Sequence, residues 1–443
     1  EYEDEEEVAK KKLEKLVARL SSDSQAFSLL DSTEKALLET AAYRWFGDEY
    51  LDYIKAQLKH FNRPYHVAML WAALSVIASP WGKVPLPGAK AVDVNLYMFS
   101  GGDSSTGKTE AVEFGTELID AVYGKEFTPI RGDISKLSAL ALHRDLILRD
   151  GKPSLIFGDE IQSFFEGVQG QQWQNGILGD VSSHYGGNVS PKLTLNDKDI
   201  SGKRAKTMLT SYLTGIADQT LAAVSLRQWT SGFFYRFLWS FGNPRINGDH
   251  SFKMKTSTAS YTAQFDVWAK ELKRVGALQE VRWGAGREVY WDEDAEKRME
   301  QFKEQIEGAT IGSPLFDTVY SNANTRFALS IAKVATIIAM VEASETVTLK
   351  HVLIALSYAG PWHRSMVLAV EETAKEPFDR DAEACLDWIR RNAVEQHGKA
   401  PWIQESAVYR AFRPNEVAER LLRQLTKEGW IQKSGDKYEL LAE

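Results

Sequence analysis

Gly102-Asp103-Ser104-Ser105-Thr106-Gly107-Lys108-Thr109 fits the spacing G-x-x-x-x-G-K-[ST] at every position. Glycines let a backbone curl until successive N–H groups point at phosphate oxygens. A helix starting at Lys108 adds the positive end of its dipole. Lys108 is then placed for the β- and γ-phosphates of ATP, and the Thr109 hydroxyl for Mg²⁺. Glu110 opens the same helix and completes the set of residues expected around the nucleotide. A second cluster closes the run LIFGDE at Asp159-Glu160. Phosphoryl transfer to water needs an acid that holds Mg²⁺ and an acid that polarises the attacking water. Asp159 suits the first role and Glu160 the second. Gly158 stands where a bulky apolar residue is usual.

Both clusters need rigid supports, and the flanking sequence predicts them. Residues 92–100, 152–160 and 208–215 read as strands, and 231–242 is dense in aromatics. Strands alternating with helical stretches predict an α/β fold with a mostly parallel sheet covered on both faces. Residues 190–207 read as a hairpin with its tip at Asn196 to Lys198. Four regions follow: helical 1–62, a core at 63–262, helical 263–377, and a small unit at 378–443. The last reads as three helices and a hairpin around Ser434-Gly435-Asp436, the winged-helix pattern.

The sequence has 443 residues, net charge −8 and a single cysteine, Cys385. This composition carries no global nucleic-acid signature, so any such binding must come from local patches. One cysteine excludes an intramolecular disulfide and a cysteine-rich zinc site, and fits the cytoplasm. No apolar stretch reaches the ~20 residues of a membrane span. The chain begins at Glu1 without Met, as a piece of a longer polypeptide would.

The order of motifs resembles ring-forming AAA+ ATPases. It is similar to a P-loop family of phages, plasmids and integrated elements described as primase-associated or helicase-like. GGDSSTGKT, LIFGDE, TSGFFYRFL and the segment from WDEDAEKRMEQF to NTRFALSIAKVATIIAMVEA carry the likeness, over about residues 63–370. The layout is also similar to that of minichromosome maintenance helicases. The resemblance implies an arginine finger at Arg236, offered to a neighbouring subunit's γ-phosphate, as against an arginine paired within its own domain. It implies a water-orienting residue on the strand at 208–215, Thr214 or Ser211. It implies a second sensor at Arg326, reaching the nucleotide of its own chain; Lys333 lies two turns later.

A ring motor must also grip its track. Lys198, Lys203, Arg204 and Lys206 on the expected hairpin suit phosphates of DNA in a pore, or else protect a sheet edge. In the last unit, Arg420, Arg423 and Lys427 serve DNA or protein docking equally well. Two functions stand open. One is an ATP-driven DNA helicase or translocase, assembled as a homo-oligomeric ring, expected to be a hexamer, that serves replication of a mobile element alongside other replication proteins. The other is a nucleotide-controlled assembly platform, such as a helicase loader, transposition regulator or defence ATPase.

Overall fold

The computed structural model describes residues 29–58, 60–86, 89–103, 106–124, 130–131, 139–149, 151–165, 172–185, 208–224, 226–242, 259–283, 288–374, 385–386, 388–396, 399–412, 415–427 and 430–441. The first expected helix and the basic hairpin with Lys198, Lys203, Arg204 and Lys206 lie outside these residues, as do Ser104 and Ser105. The chain divides into two compact units, Glu1–Val370 and Glu371–Glu443.

In the first unit, helices α1 (Ser32–Leu38), α2 (Phe46–Gln57) and α3 (Arg63–Ala78) precede an antiparallel ribbon of β1 (Lys83–Leu86) and β2 (Ala89–Asp93). The α/β core follows as β3 (Tyr97–Gly101), α4 (Lys108–Tyr123), β4 (Ile130–Arg131), α5 (Ala139–Arg149), β5 (Pro153–Gly158), α6 (Gln172–His184), β6 (Met208–Gly215), α7 (Ala217–Ala223), α8 (Leu226–Thr230) and β7 (Phe237–Phe241). Its strands form one all-parallel sheet in the order β4-β5-β6-β3-β7, flanked by helices.

One expectation needs correction. The stretch 92–100 is not a single strand: its start closes the β1–β2 ribbon and its end is β3. Side chains hold the residues between them. Asn95 Nδ2 donates to the Leu209 carbonyl at 2.7 Å, and Leu96 N–H donates to Ser75 Oγ at 2.8 Å. Alternation of residue type cannot reveal such a handover.

Helix α3 is apolar all round, which a helix tolerates only when it is buried on every side. Every residue from Tyr65 to Ala78 is buried, and the helix lies against β3, β5, β6 and β7. In-register neighbours in a parallel sheet face the same side, so Ser100, Thr214 and Ser240 share one face. Helix α3 covers it: Ser75 and Thr210 hydroxyls meet at 2.8 Å, and Ser240 Oγ donates to the Pro64 carbonyl at 3.1 Å. The opposite face is an aromatic ladder, with Tyr97 on Phe237 at 5.3 Å and Phe99 on Trp239 at 4.6 Å. Trp229 of α8 stacks on Trp239, and Tyr97 Oη donates to the Val181 carbonyl of α6 at 2.6 Å. Burying each such ring contributes roughly 1.5–3 kcal/mol.

Four longer helices complete this unit: α9 (Ala259–Trp283), α10 (Glu293–Gly308), α11 (Ser321–Val341) and α12 (Leu349–Ala374). Strands β8 (Tyr290–Trp291) and β9 (Thr346–Val347) pair in parallel. Among the described residues the run Phe316–Val341 is long and apolar enough to cross a membrane by length and composition, but 72% of its window is buried inside the protein. It behaves as a core helix.

The second unit contains β10 (Val394–Gln396), β11 (Lys399–Gln404), α13 (Glu405–Ala411), α14 (Asn415–Lys427), β12 (Ile431–Ser434) and β13 (Lys437–Leu440). The sheet order is β10-β11-β13-β12. The expected terminal hairpin is present, with Gly435 at φ 66° supplying a left-handed turn residue. The β10–β11 pairing is an addition to the expected three helices and a wing.

Lys333 on α11 is fully buried. Its Nζ donates to the Asn95 carbonyl at 2.9 Å and to Asn95 Oδ1 at 3.1 Å, and lies 3.5 Å from the Tyr185 ring centre. Burial holds its pKa well below the ordinary lysine value; Asp93 pulls it up, and Arg326 and Arg236 push it further down. The folded state therefore binds fewer protons than the unfolded state between the lowered value and about 10.4. Stability from this group rises with pH across that window. Denaturant unfolding from pH 7 to 10 is expected to show wild type gaining on Lys333→Met as pH increases. Curves that stay parallel would show that the amine is unperturbed.

Candidate active site

Because the sheet is parallel, its strands end at one common edge. There β3 runs into Gly102, β5 into Asp159, and β6 ends on Thr214 and Gly215. Strand β6 lies between the other two. Ser100 is level with Thr214 on one side, and Gly158 with Leu213 on the other. Asp159 thus emerges beside Thr214, whose Oγ1 donates to Asp159 Oδ1. Gly102 N–H donates to the Gly215 carbonyl at 3.2 Å, and Ile161 N–H to the Thr214 carbonyl at 3.0 Å. Two strand spacings separate the glycine loop from the acids, about 10 Å.

Gly107 caps α4 at φ 97°, a conformation that favours glycine. Lys108 follows as the first helical residue. Its Nζ donates to the Gly102 carbonyl at 2.7 Å and the Gly215 carbonyl at 3.2 Å. Burial lowers its pKa, while Asp159, Asp103 and Glu160 pull it back up. The ammonium therefore faces both the loop and the acids. Thr109 and Glu110 are exposed on the first turn of α4. Asp159 and Glu160 are also exposed. Glu160 has φ 47°, rare for a residue with a side chain, and its N–H donates to Asp159 Oδ1 at 3.0 Å.

The donor set fits Mg²⁺, which takes one or two protein oxygens and fills its remaining positions with phosphates and water. Thr109 and Asp159 are the side chains that would offer those oxygens. Among the described residues no group of three or more His, Cys, Asp or Glu side chains converges, so an all-protein metal cage is not the alternative there. Of the two water-orienting candidates, Thr214 sits at this edge. Ser211 pairs at the level of Tyr97, the first residue of β3, and so belongs to the other end of the sheet.

The two arginines are not brought to the loop. Arg236 immediately precedes β7, whose first residue pairs with Tyr97. It is therefore at the amino edge, about 20 Å along the strands from Gly102. Arg326 lines a cavity together with Arg236. The expectation that Arg326 reaches the nucleotide of its own chain is corrected: it shares the opposite edge of the sheet with Arg236. The sequence placed Arg326 near a helix start but could not tell which sheet edge that start approaches.

Sequence reasoning also missed Tyr65 and Asn62. The Tyr65 and Thr106 hydroxyls lie 2.9 Å apart, Thr106 Oγ1 donates to the Asp103 carbonyl at 2.7 Å, and Asn62 Nδ2 donates to the Thr106 carbonyl at 3.3 Å. The start of α3 thus holds the glycine loop in shape. The available signal was the polar Asn62-Arg63-Pro64-Tyr65 run opening an otherwise apolar helix.

Gly102 is needed for this approach, since a Cβ there would lie 1.7 Å from Tyr65 Oη and 2.9 Å from Tyr65 Cζ. Gly102→Ala should cost roughly 1–3 kcal/mol of stability as overpacking. Adding Tyr65→Phe removes the nearest atom, so the double variant should lose less than the two single losses combined. Thermal melts of the four proteins check this; strict additivity would mean that Tyr65 is not the obstacle.

No protein-family model and no curated protein matches the chain.

Proposed function

We propose that the chain is a P-loop ATPase of the AAA+ type, working as a ring-forming DNA helicase or translocase of a mobile element. The observation that carries the ATPase reading is the convergence at one sheet edge of the Gly102–Thr109 loop, Thr214 and Asp159-Glu160. Loop N–H groups, the α4 amino terminus and Lys108 hold the phosphates of ATP. Lys108 exchanges its present carbonyl partners for phosphate oxygens. Mg²⁺, when bound, neutralises charge on the transferred phosphoryl group. Thr109 and Asp159 would hold that ion, and Thr214 fixes the Asp159 carboxylate. Glu160 takes a proton from the attacking water.

The ring, the DNA track and a hexameric count rest on the sequence resemblance. The position of Arg236 supports a ring: an arginine about 20 Å from its own loop suits a neighbour's nucleotide. The basic hairpin and α14 are the proposed DNA contacts. The net charge of −8 favours the second reading, an assembly platform without unwinding. Strand displacement on forked DNA separates the two readings.

Lys108→Ala should abolish tight ATP binding, read by fluorescent-nucleotide titration; unchanged affinity would remove the P-loop assignment. Glu160→Gln should bind ATP normally and hydrolyse it about 10²-fold or more slowly. Turnover close to wild type would exclude Glu160 as the proton acceptor.

A further inference from the structure

The sheet of the second unit turns one face to its own core and the other outward. Ile403 of β11, Ile431 of β12 and Tyr438 of β13 are buried with Leu421, Leu422 and Leu425 of α14. Side chains alternate along a strand, so the neighbours of those residues point the other way. Val394, Trp402, Glu439 and Gln432 are level with one another across β10, β11, β13 and β12. Trp430 and Leu441 meet just beyond the strand ends, where Leu441 N–H donates to the Trp430 carbonyl at 3.1 Å, and continue that outward face. Val394 is 47% exposed, Leu441 41% and Trp430 38%.

Two cations lie against these rings. Lys437 Nζ sits 3.6 Å from the Trp402 ring centre, and the Arg390 guanidinium 5.6 Å from that of Trp430. Lys433, by contrast, is spent on Glu405 at 2.8 Å. Residues 388–441 carry ten Lys and Arg against seven Asp and Glu, in a chain whose net charge is −8. This unit therefore has the local positive balance that the whole chain lacks.

Protein interfaces deplete lysine and glutamate, and both border these tryptophans. A DNA duplex keeps its base faces stacked inside and offers a flat sheet only phosphates. A single strand offers phosphates and open base faces together. Trp402 and Trp430 stand two strand spacings apart across the sheet, roughly 10 Å, with Glu439 on the strand between them. Its charge opposes phosphate, but a carboxylate also accepts from the amino group of cytosine. A base stack contributes more than an exposed cation–ring contact. A base therefore displaces Lys437 from Trp402 and leaves its ammonium for the adjoining phosphate.

We propose that the outward face of the β10–β13 sheet is a stacking surface for single-stranded DNA, with Trp402 and Trp430 under the bases and Lys437 and Arg390 on the backbone. The choice of DNA over RNA rests on the functional reading above; the stacking surface does not. It lies on the side of the sheet away from α14, and so is a contact separate from that helix.

The test titrates the full, nucleotide-free chain into fluorescein-labelled oligodeoxycytidylate and follows anisotropy over a series of salt concentrations. Saturable binding is expected. Trp402→Leu and Trp430→Leu keep every charge, so each should weaken binding roughly fivefold or more with the salt slope unchanged. Lys437→Gln should instead make that slope shallower by about 0.7. Melting curves of each variant report folding, and Lys437→Gln reads the same surface should a tryptophan variant fail to fold. Affinity indifferent to the substitutions overturns the proposal, as does equal affinity for a duplex of the same length or binding confined to oligoribocytidylate. Loss of self-association in Trp430→Leu, seen by sedimentation with oligonucleotide binding intact, would assign the face to a second copy and overturn it too. No step uses ATP, so a chain that neither hydrolyses ATP nor displaces strands can pass this test, and an active ATPase can fail it.

Discussion

Strand β6 lies between β3 and β5, and the chemistry proposed for this protein depends on that insertion. Adjacent parallel strands would bring the glycine loop and the acids to about 4.8 Å, closing the space that a phosphate chain and its ion need. With β6 between them the gap doubles, and its end supplies the linking groups. The Gly215 carbonyl receives both Gly102 N–H and Lys108 Nζ, while Thr214 holds Asp159. The position of β6 is itself fixed from several sides. Asn95 reaches the Leu209 carbonyl, Ser75 reaches Thr210, and the strand is buried from Leu209 to Gly215. A small polar set under the sheet thereby sets the geometry above it.

The same parallel sheet separates two kinds of charge. Acids and the glycine loop occupy the carboxyl edge; Arg236, Arg326 and buried Lys333 gather toward the amino edge. The division is not complete, since Lys108 faces the acids at the carboxyl edge and Arg131 ends β4 level with Phe157 there.

Much of this was legible in the sequence because local spacing encodes it. The Gly102–Thr109 loop between strand and helix, the acids ending β5, strand β6 and the helices α10 to α12 all carry short-range signals. Features set by tertiary packing were hidden. Lys333 has no acid at helical spacing to announce its burial; its partners, Asn95 and Tyr185, are distant in sequence. Arg326 was visible as a helix cation, but the helix gives no sign of which sheet edge it meets. Tyr65 supports the loop only because α3 crosses the sheet, and the break inside 92–100 comes from side chains elsewhere. The β10–β11 strands lie in a segment whose polar residues mask their alternation.

Glu160 shows how the fold forces an exposed side chain into place. Asp159 is tied to Thr214 by its side chain and Ile161 by its N–H, so both neighbours of Glu160 are fixed to β6. The chain must then turn into a short helical segment whose Ile161, Phe164 and Phe165 are buried. One residue has to absorb that turn, and Glu160 does so with a left-handed backbone that costs about 1–2 kcal/mol. Glycine would adopt it without the penalty. What the glutamate offers in return is an exposed carboxylate, directed by a strained backbone out of the strand's alternation and beside the gap between the loop and Asp159. An observed outlier of this kind argues from geometry toward use, independently of the motif that first drew attention to the residue.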